Sequence, residues 1–173
     1  MAAGSPTGLD LPPMVVMGVS GCGKTTVGRA LAARLGLVFR DGDELHPPAN
    51  IARMTRGEAL TDEDRWPWLR RVGQVLRDGQ VGIVGCSALR RAYRDVVRTE
   101  AGRGVTFVHL SGSREVIAAR MEARKDHFMP PSLLASQFAT LEPLGTDEHA
   151  VTIDIGQPFE AVLDEILREL ASR

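Results

Sequence analysis

Gly18-Val-Ser-Gly-Cys-Gly-Lys-Thr25 reads G-x-x-x-x-G-K-S/T, a spacing that commits the residues before it to a strand and those after it to a helix. Both contexts are present. Met14-Val-Val-Met17 is a short apolar run, and after Lys24 the residues Val27, Ala30, Leu31 and Leu35 recur at helical spacing. Such a loop turns successive backbone N–H groups inward onto the phosphates of a nucleotide at a helix N-terminus. Gly18, Ser20, Gly21, Cys22, Gly23, Lys24, Thr25 and Thr26 are expected to line it, with the Lys24 ammonium on the β/γ oxygens of ATP and the Thr25 hydroxyl on Mg2+. Only two of the 21 basic residues are lysines, Lys24 and Lys125, so a lysine here marks a demand for a compact ammonium that an arginine fork does not meet.

The rest of the chain supplies the layers around this loop. Leu37–Phe39, Val81–Val84, Val105–Leu110 and Val151–Ile155 read as further strands, and 88–101, 113–124, 132–141 and 159–171 as helices. Strands alternating with helices predict a three-layer α/β fold, with a parallel five-stranded sheet and helices on both faces. The 173 residues suit one domain, over 14–173. Residues 1–13, rich in Gly and Pro, read as a disordered tail with neither the basic start nor the apolar stretch of a signal peptide. Two longer excursions interrupt the pattern: 46–79, with a helix start signal at Thr61-Asp-Glu-Asp64, and 124–131, stopped by two prolines. They are expected as a substrate flap and a lid.

Composition removes several classes. A net charge of -1 provides no field to attract nucleic acid or a membrane surface, and no apolar run approaches the roughly 20 residues of a membrane span. Cys22 and Cys86 are too few for a disulfide framework or a four-ligand zinc site, which fits a reducing, cytoplasmic setting. Neither lysine lies in a guanine-reading Asn-Lys-x-Asp sequence, and Leu110-Ser-Gly-Ser-Arg114 is not a transporter signature. A small-molecule kinase is the reading that survives.

Its acceptor chemistry is sought at Asp41-Gly-Asp43, at the carboxyl end of the second strand, where open parallel sheets place ligands. Asp41 is expected to hold Mg2+ through water, and Asp43 to take the proton of an acceptor hydroxyl. His46 follows as a polyol hydrogen-bonding residue or as the mere opening of a loop. Arg53 and the cluster Arg90, Arg91 and Arg94 are candidates for clamping a carboxylate. Arg120 and Arg124, four apart on one helix face, are expected over adenine and the phosphates. Trp66 and Trp68 read as packing. A kinase of another small acid such as shikimate and a non-catalytic ATP sensor stay open on these residues.

Further motifs narrow the choice. Asp41-Gly-Asp43-x-x-His46-Pro, Asn50-Ile51 with Met54, Asp62-x-Asp-Arg65 before Pro67-Trp-Leu69, Cys86-Ser-Ala-Leu89 with Tyr93-Arg-Asp95, Arg124-Lys-x-His-Phe128 and Gln137-Phe-x-Thr-Leu-Glu142-Pro run in order along the chain. Together with the phosphate loop they resemble the gluconokinases, of the adenylate/shikimate-kinase-like P-loop group, which implies the strand order 2-3-1-4-5 for the sheet. The resemblance implies ATP-dependent phosphorylation of D-gluconate at its 6-hydroxyl, in gluconate catabolism and entry to the pentose phosphate pathway, by a soluble protein that is often a homodimer. It implies Lys24, Asp43 and Arg124 in catalysis, and Asp43, His46, Arg53, Arg90 and His127 around the sugar acid. Cys22, where serine or alanine also serves, and Arg90 and Arg91, where lysines would do, are small departures.

Overall fold

A computed structural model describes residues 11–123 and 131–173. Strands β1 (Met14–Met17), β2 (Phe39–Asp41), β3 (Ile83–Gly85), β4 (Thr106–Ser111) and β5 (Ala150–Asp154) form one parallel sheet in the order 2-3-1-4-5, as expected. The central strand β1 is buried on both faces, which is why it reads as an unbroken apolar run. Its side chains alternate: Met14 and Val16 enter one core, Val15 and Met17 the other. The helices are α1 (Lys24–Leu35), α2 (Pro48–Thr55), α3 (Asp62–Arg77), α4 (Arg91–Ala101), α5 (Arg114–Ala123), α6 (Pro131–Thr140) and α7 (Phe159–Ala171). Leu31 of α1 and Ile166 of α7 fill the first core, while Leu69 and Val72 of α3 and Val97 of α4 fill the second.

Several boundaries differ by one to three residues from the sequence reading, and two of the differences have a clear local reason. The β2 strand starts at Phe39 and not Leu37, because α1 ends at a left-handed Gly36 and the Leu37 N–H is used to close that end on Ala32 O at 2.9 Å. Helix α4 starts at Arg91 and not at 88, because Ala88 has φ 46 and Arg90, which caps the helix, is extended. Within the stretch 46–79, α3 is a core helix. It is launched by a capping box, in which Thr61 Oγ1 accepts the Asp64 N–H (3.2 Å) and Asp64 Oδ2 accepts the Thr61 N–H (2.9 Å). The part outside the core is α2 and the connection to Thr61: Asn50 is the only buried residue of α2, and Ile51 and Met54 are exposed.

The three arginines grouped in the sequence separate in space. Arg90 pairs with Asp62 at 3.6 Å, and Arg91 with Asp147. Arg94 is fully buried, with Nε on Glu148 Oε1 at 2.7 Å and its other nitrogens donating to the carbonyls of Ala88, Leu89, Glu142 and Pro143. It therefore stitches the loop after β3 to the loop after α6. Burial alone would raise the Glu148 carboxyl, but hydrogen bonds from Arg94, the Gly145 N–H and Arg98 outweigh it and bring the group down to about 2. The stabilisation is complete above the unfolded value of 4.5 and is lost as pH falls from there toward 2. Arg94→Ala strands the buried Glu148 and several carbonyls, so urea unfolding at pH 7 should show a loss of about 3–5 kcal/mol. A loss under 1 kcal/mol would mean that the network adds nothing to stability.

Candidate active site

The carboxyl ends of β1, β2 and β3 converge on the phosphate loop. Gly23 caps α1 with φ 97, a left-handed conformation that a side chain would strain, and it turns the loop into the first helical N–H groups. Lys24 Nζ donates to Gly18 O (2.9 Å) and Val19 O (3.1 Å), which holds the ammonium within the loop. On α5, Arg120 donates to Ile155 O at 2.6 Å and brings its other terminal nitrogen close to Gly23. Thr26 lies in the first turn of α1.

Asp41 ends β2 and Asp43 lies in the 3-10 turn Gly42–Leu45 that follows. Gly42 packs so tightly on the neighbouring strand that a Cβ there would stand 2.3 Å from Gly85 O. The turn is pinned from two sides: Asp41 Oδ1 accepts the Asp43 N–H at 2.9 Å, and the buried Trp68 indole donates to Gly42 O at 2.8 Å. Thr25 Oγ1 donates to Asp41 Oδ2 at 3.4 Å. A hydroxyl and a carboxylate side by side are hard oxygen donors, and a magnesium site asks the protein for few ligands beyond these when phosphates supply the rest. The described residues contain no cluster of three or more His, Cys, Asp or Glu that would compete as a metal site. The pair thus fits Mg2+. Burial, then the charge of Asp41, raises the Asp43 carboxyl above its ordinary value, with Lys24 opposing.

His46 stacks on Trp68, with ring centroids 4.0 Å apart. Asn50 Nδ2 donates to Asp64 O (2.8 Å) and lies 3.2 Å from His46 Nδ1, so the ring accepts at Nδ1 and carries its proton on Nε2. Burial, aided by the Arg65 charge, lowers this imidazole to about 4 and keeps it neutral near pH 7. Arg53 pairs with Asp64 at 3.2 Å. Beyond it, Asp62 accepts from Tyr93 Oη at 2.5 Å and faces Arg65 and Arg90.

The structure brings together the phosphate loop, Asp41, Asp43 and His46, and places Arg120 beside the loop. It gives Arg53 and Arg90 carboxylate partners on α3. Arg124 and His127 lie outside the described residues. Sequence reasoning missed Arg65, and it missed Trp68 and Asn50 as supports of the acceptor side. The i, i+4 spacing of His46 and Asn50 was the one local signal available.

A glycine-rich phosphate loop after the central strand, with two carboxylates at the end of an outer strand, defines a P-loop small-molecule kinase. A shikimate kinase family model matches residues 20–171. The gluconokinase of Gluconobacter oxydans is 46% identical over 168 residues, covering 94% of each chain. The thermoresistant gluconokinase of Escherichia coli is 43% identical, covering 92% of this chain and 93% of its own. A gluconokinase structure from Sinorhizobium meliloti superimposes with a TM-score of 0.87 at 48% identity, over 94% of this chain and 93% of that one. The chain belongs to the gluconokinase family, within the shikimate-kinase-like P-loop kinases.

Proposed function

We propose that this enzyme transfers the γ-phosphoryl group of ATP to the 6-hydroxyl of D-gluconate, giving 6-phospho-D-gluconate and ADP. The observation that carries the reading is the raised carboxyl of Asp43, on a turn after β2 that is pinned at the Asp43 backbone N–H, in the field of Lys24. In the transfer, O6 bonds to the γ-phosphorus, the bond from that phosphorus to the ADP oxygen breaks, and the O6 proton passes to Asp43. The loop N–H groups that follow Ser20 and the Lys24 ammonium hold the phosphates, and Arg120 covers them from α5. Thr25 and Asp41 would hold Mg2+, which supplies charge neutralisation on the phosphate oxygens when bound. His46 offers its Nε2–H to a gluconate hydroxyl, and Arg53 and Arg90, with Arg65 beside them, offer charge to the carboxylate. Arg124 and His127 complete the site from the lid in the same proposal.

No helix among the described residues is long and apolar enough to cross a membrane. A cytoplasmic location and a homodimer belong to this proposal through the family resemblance. The test is a coupled ADP-release assay with magnesium-ATP, comparing D-gluconate, shikimate, other sugar acids and no acceptor. Strong, selective stimulation by gluconate is expected. Selective stimulation by another acid would change the substrate, and the absence of stimulation by any would overturn the kinase reading.

A further inference from the structure

One side chain from far along the sequence reaches the phosphate loop. Gln137 of α6 accepts the Ser20 backbone N–H on Oε1 at 2.6 Å and donates from Nε2 to Ser20 Oγ at 2.9 Å, across 117 residues. Both ends of one carboxamide are thus spent on one loop residue, and the Ser20 N–H, which can only donate, sets the orientation of the amide. Helix α6 is itself anchored. Leu134 is buried in the first core, and just past the helix the Glu142 N–H donates to Leu89 O at 2.7 Å while Arg94 donates to Glu142 O. Gln137 therefore stands on an element tied to the loop after β3, on the acceptor side.

The loop it grips needs an external hold. Gly18, Gly21 and Gly23 all have positive φ, and glycine peptides rotate at little steric cost. A cradle of backbone N–H groups stabilises a phosphoryl group to the extent that its dipoles are aimed beforehand. We propose that Gln137 is a positioning residue for ATP: it fixes the Ser20 peptide, and with it the direction of the N–H groups that follow. This rests on the reading of the loop as the ATP site. Loss of the carboxamide falls on ATP and leaves the acceptor, which touches Asp43 and His46, unaffected.

The experiment uses the full chain as wild type, Gln137→Ala, Ser20→Ala and the double variant, in the ADP-release assay with ATP and gluconate varied in turn and with thermal melting alongside. Gln137→Ala should raise KM for ATP about tenfold. KM for gluconate should stay within twofold and Tm within a few degrees. The double variant should be no worse for ATP than Gln137→Ala alone, since both changes break one contact. An unchanged KM for ATP, or a joint shift of both KM values and Tm, would overturn the proposal, the latter assigning Gln137 to structure. If Gln137→Ala does not fold, Ser20→Ala decides: it should raise KM for ATP alone, and no rise overturns the proposal. A wild-type protein without gluconate-stimulated turnover would overturn the functional reading instead. Calorimetric titration with ATP would then decide Gln137 by the same tenfold criterion.

Discussion

Asp43→Asn should lower kcat with gluconate by about 10²–10⁴-fold while leaving ATP affinity within a few-fold of wild type. Asparagine keeps the size of the side chain and can still accept a hydrogen bond, so the acceptor is held, but no base receives its proton. The pH dependence separates this role from a structural one. Only the ionised carboxylate accepts a proton, so the wild-type rate falls as pH drops through the Asp43 pKa. Burial and Asp41 raise that value above the ordinary 3.8, which places the fall at a higher pH than a solvated aspartate would show. The Asn variant should lose this acid limb. Steady-state kinetics across pH make the check, and a variant with wild-type kcat would reassign Asp43 to the structure of the turn.

Lys24→Ala should lower kcat/KM for ATP by about 10²–10³-fold, the loss expected when one preorganised charge is removed from a transferring phosphoryl group. The ammonium is held within the loop by Gly18 O and Val19 O, so it is poised at the phosphates without a long reorganisation. Removing it leaves those carbonyls facing solvent and part-buried groups, a small cost to folding. A circular dichroism spectrum and a melting curve like those of wild type should therefore accompany the loss. Lys24→Arg should recover little, because a planar fork cannot sit in a loop shaped around a compact ammonium. Turnover near the wild-type level in Lys24→Ala would remove the phosphate-loop assignment.

The parts of the site that were legible in the sequence are those that depend on neighbours along the chain. The phosphate loop, the strand before it and the helix after it occupy adjacent residues, so spacing alone reveals them. Asp41 and Asp43 follow an apolar run, and a parallel sheet places the end of such a run at the ligand edge. The capping box at Thr61 and Asp64 is a four-residue signal, and α3 starts where it predicts. The strand order was legible through the alternation of strands and helices together with the resemblance.

The remaining features depend on residues that meet only after folding. Arg90, Arg91 and Arg94 look alike as a cluster, yet topology sends the first to Asp62, the second to Asp147 and the third to a buried Glu148. Trp68 reads as core, and it is core. Its stacking on His46 and its bond to Gly42 arise because the start of α3 crosses the turn after β2. Gln137 carries no local mark of its contact with Ser20. Periodicity and short motifs record how a segment folds against its own neighbours, so the chain alone specified the loop, the layers and the position of the acids. Which side chain completes a hydrogen bond 26, 54 or 117 residues away depends on how the layers pack, and that packing selected Trp68, Arg94 and Gln137 for their places.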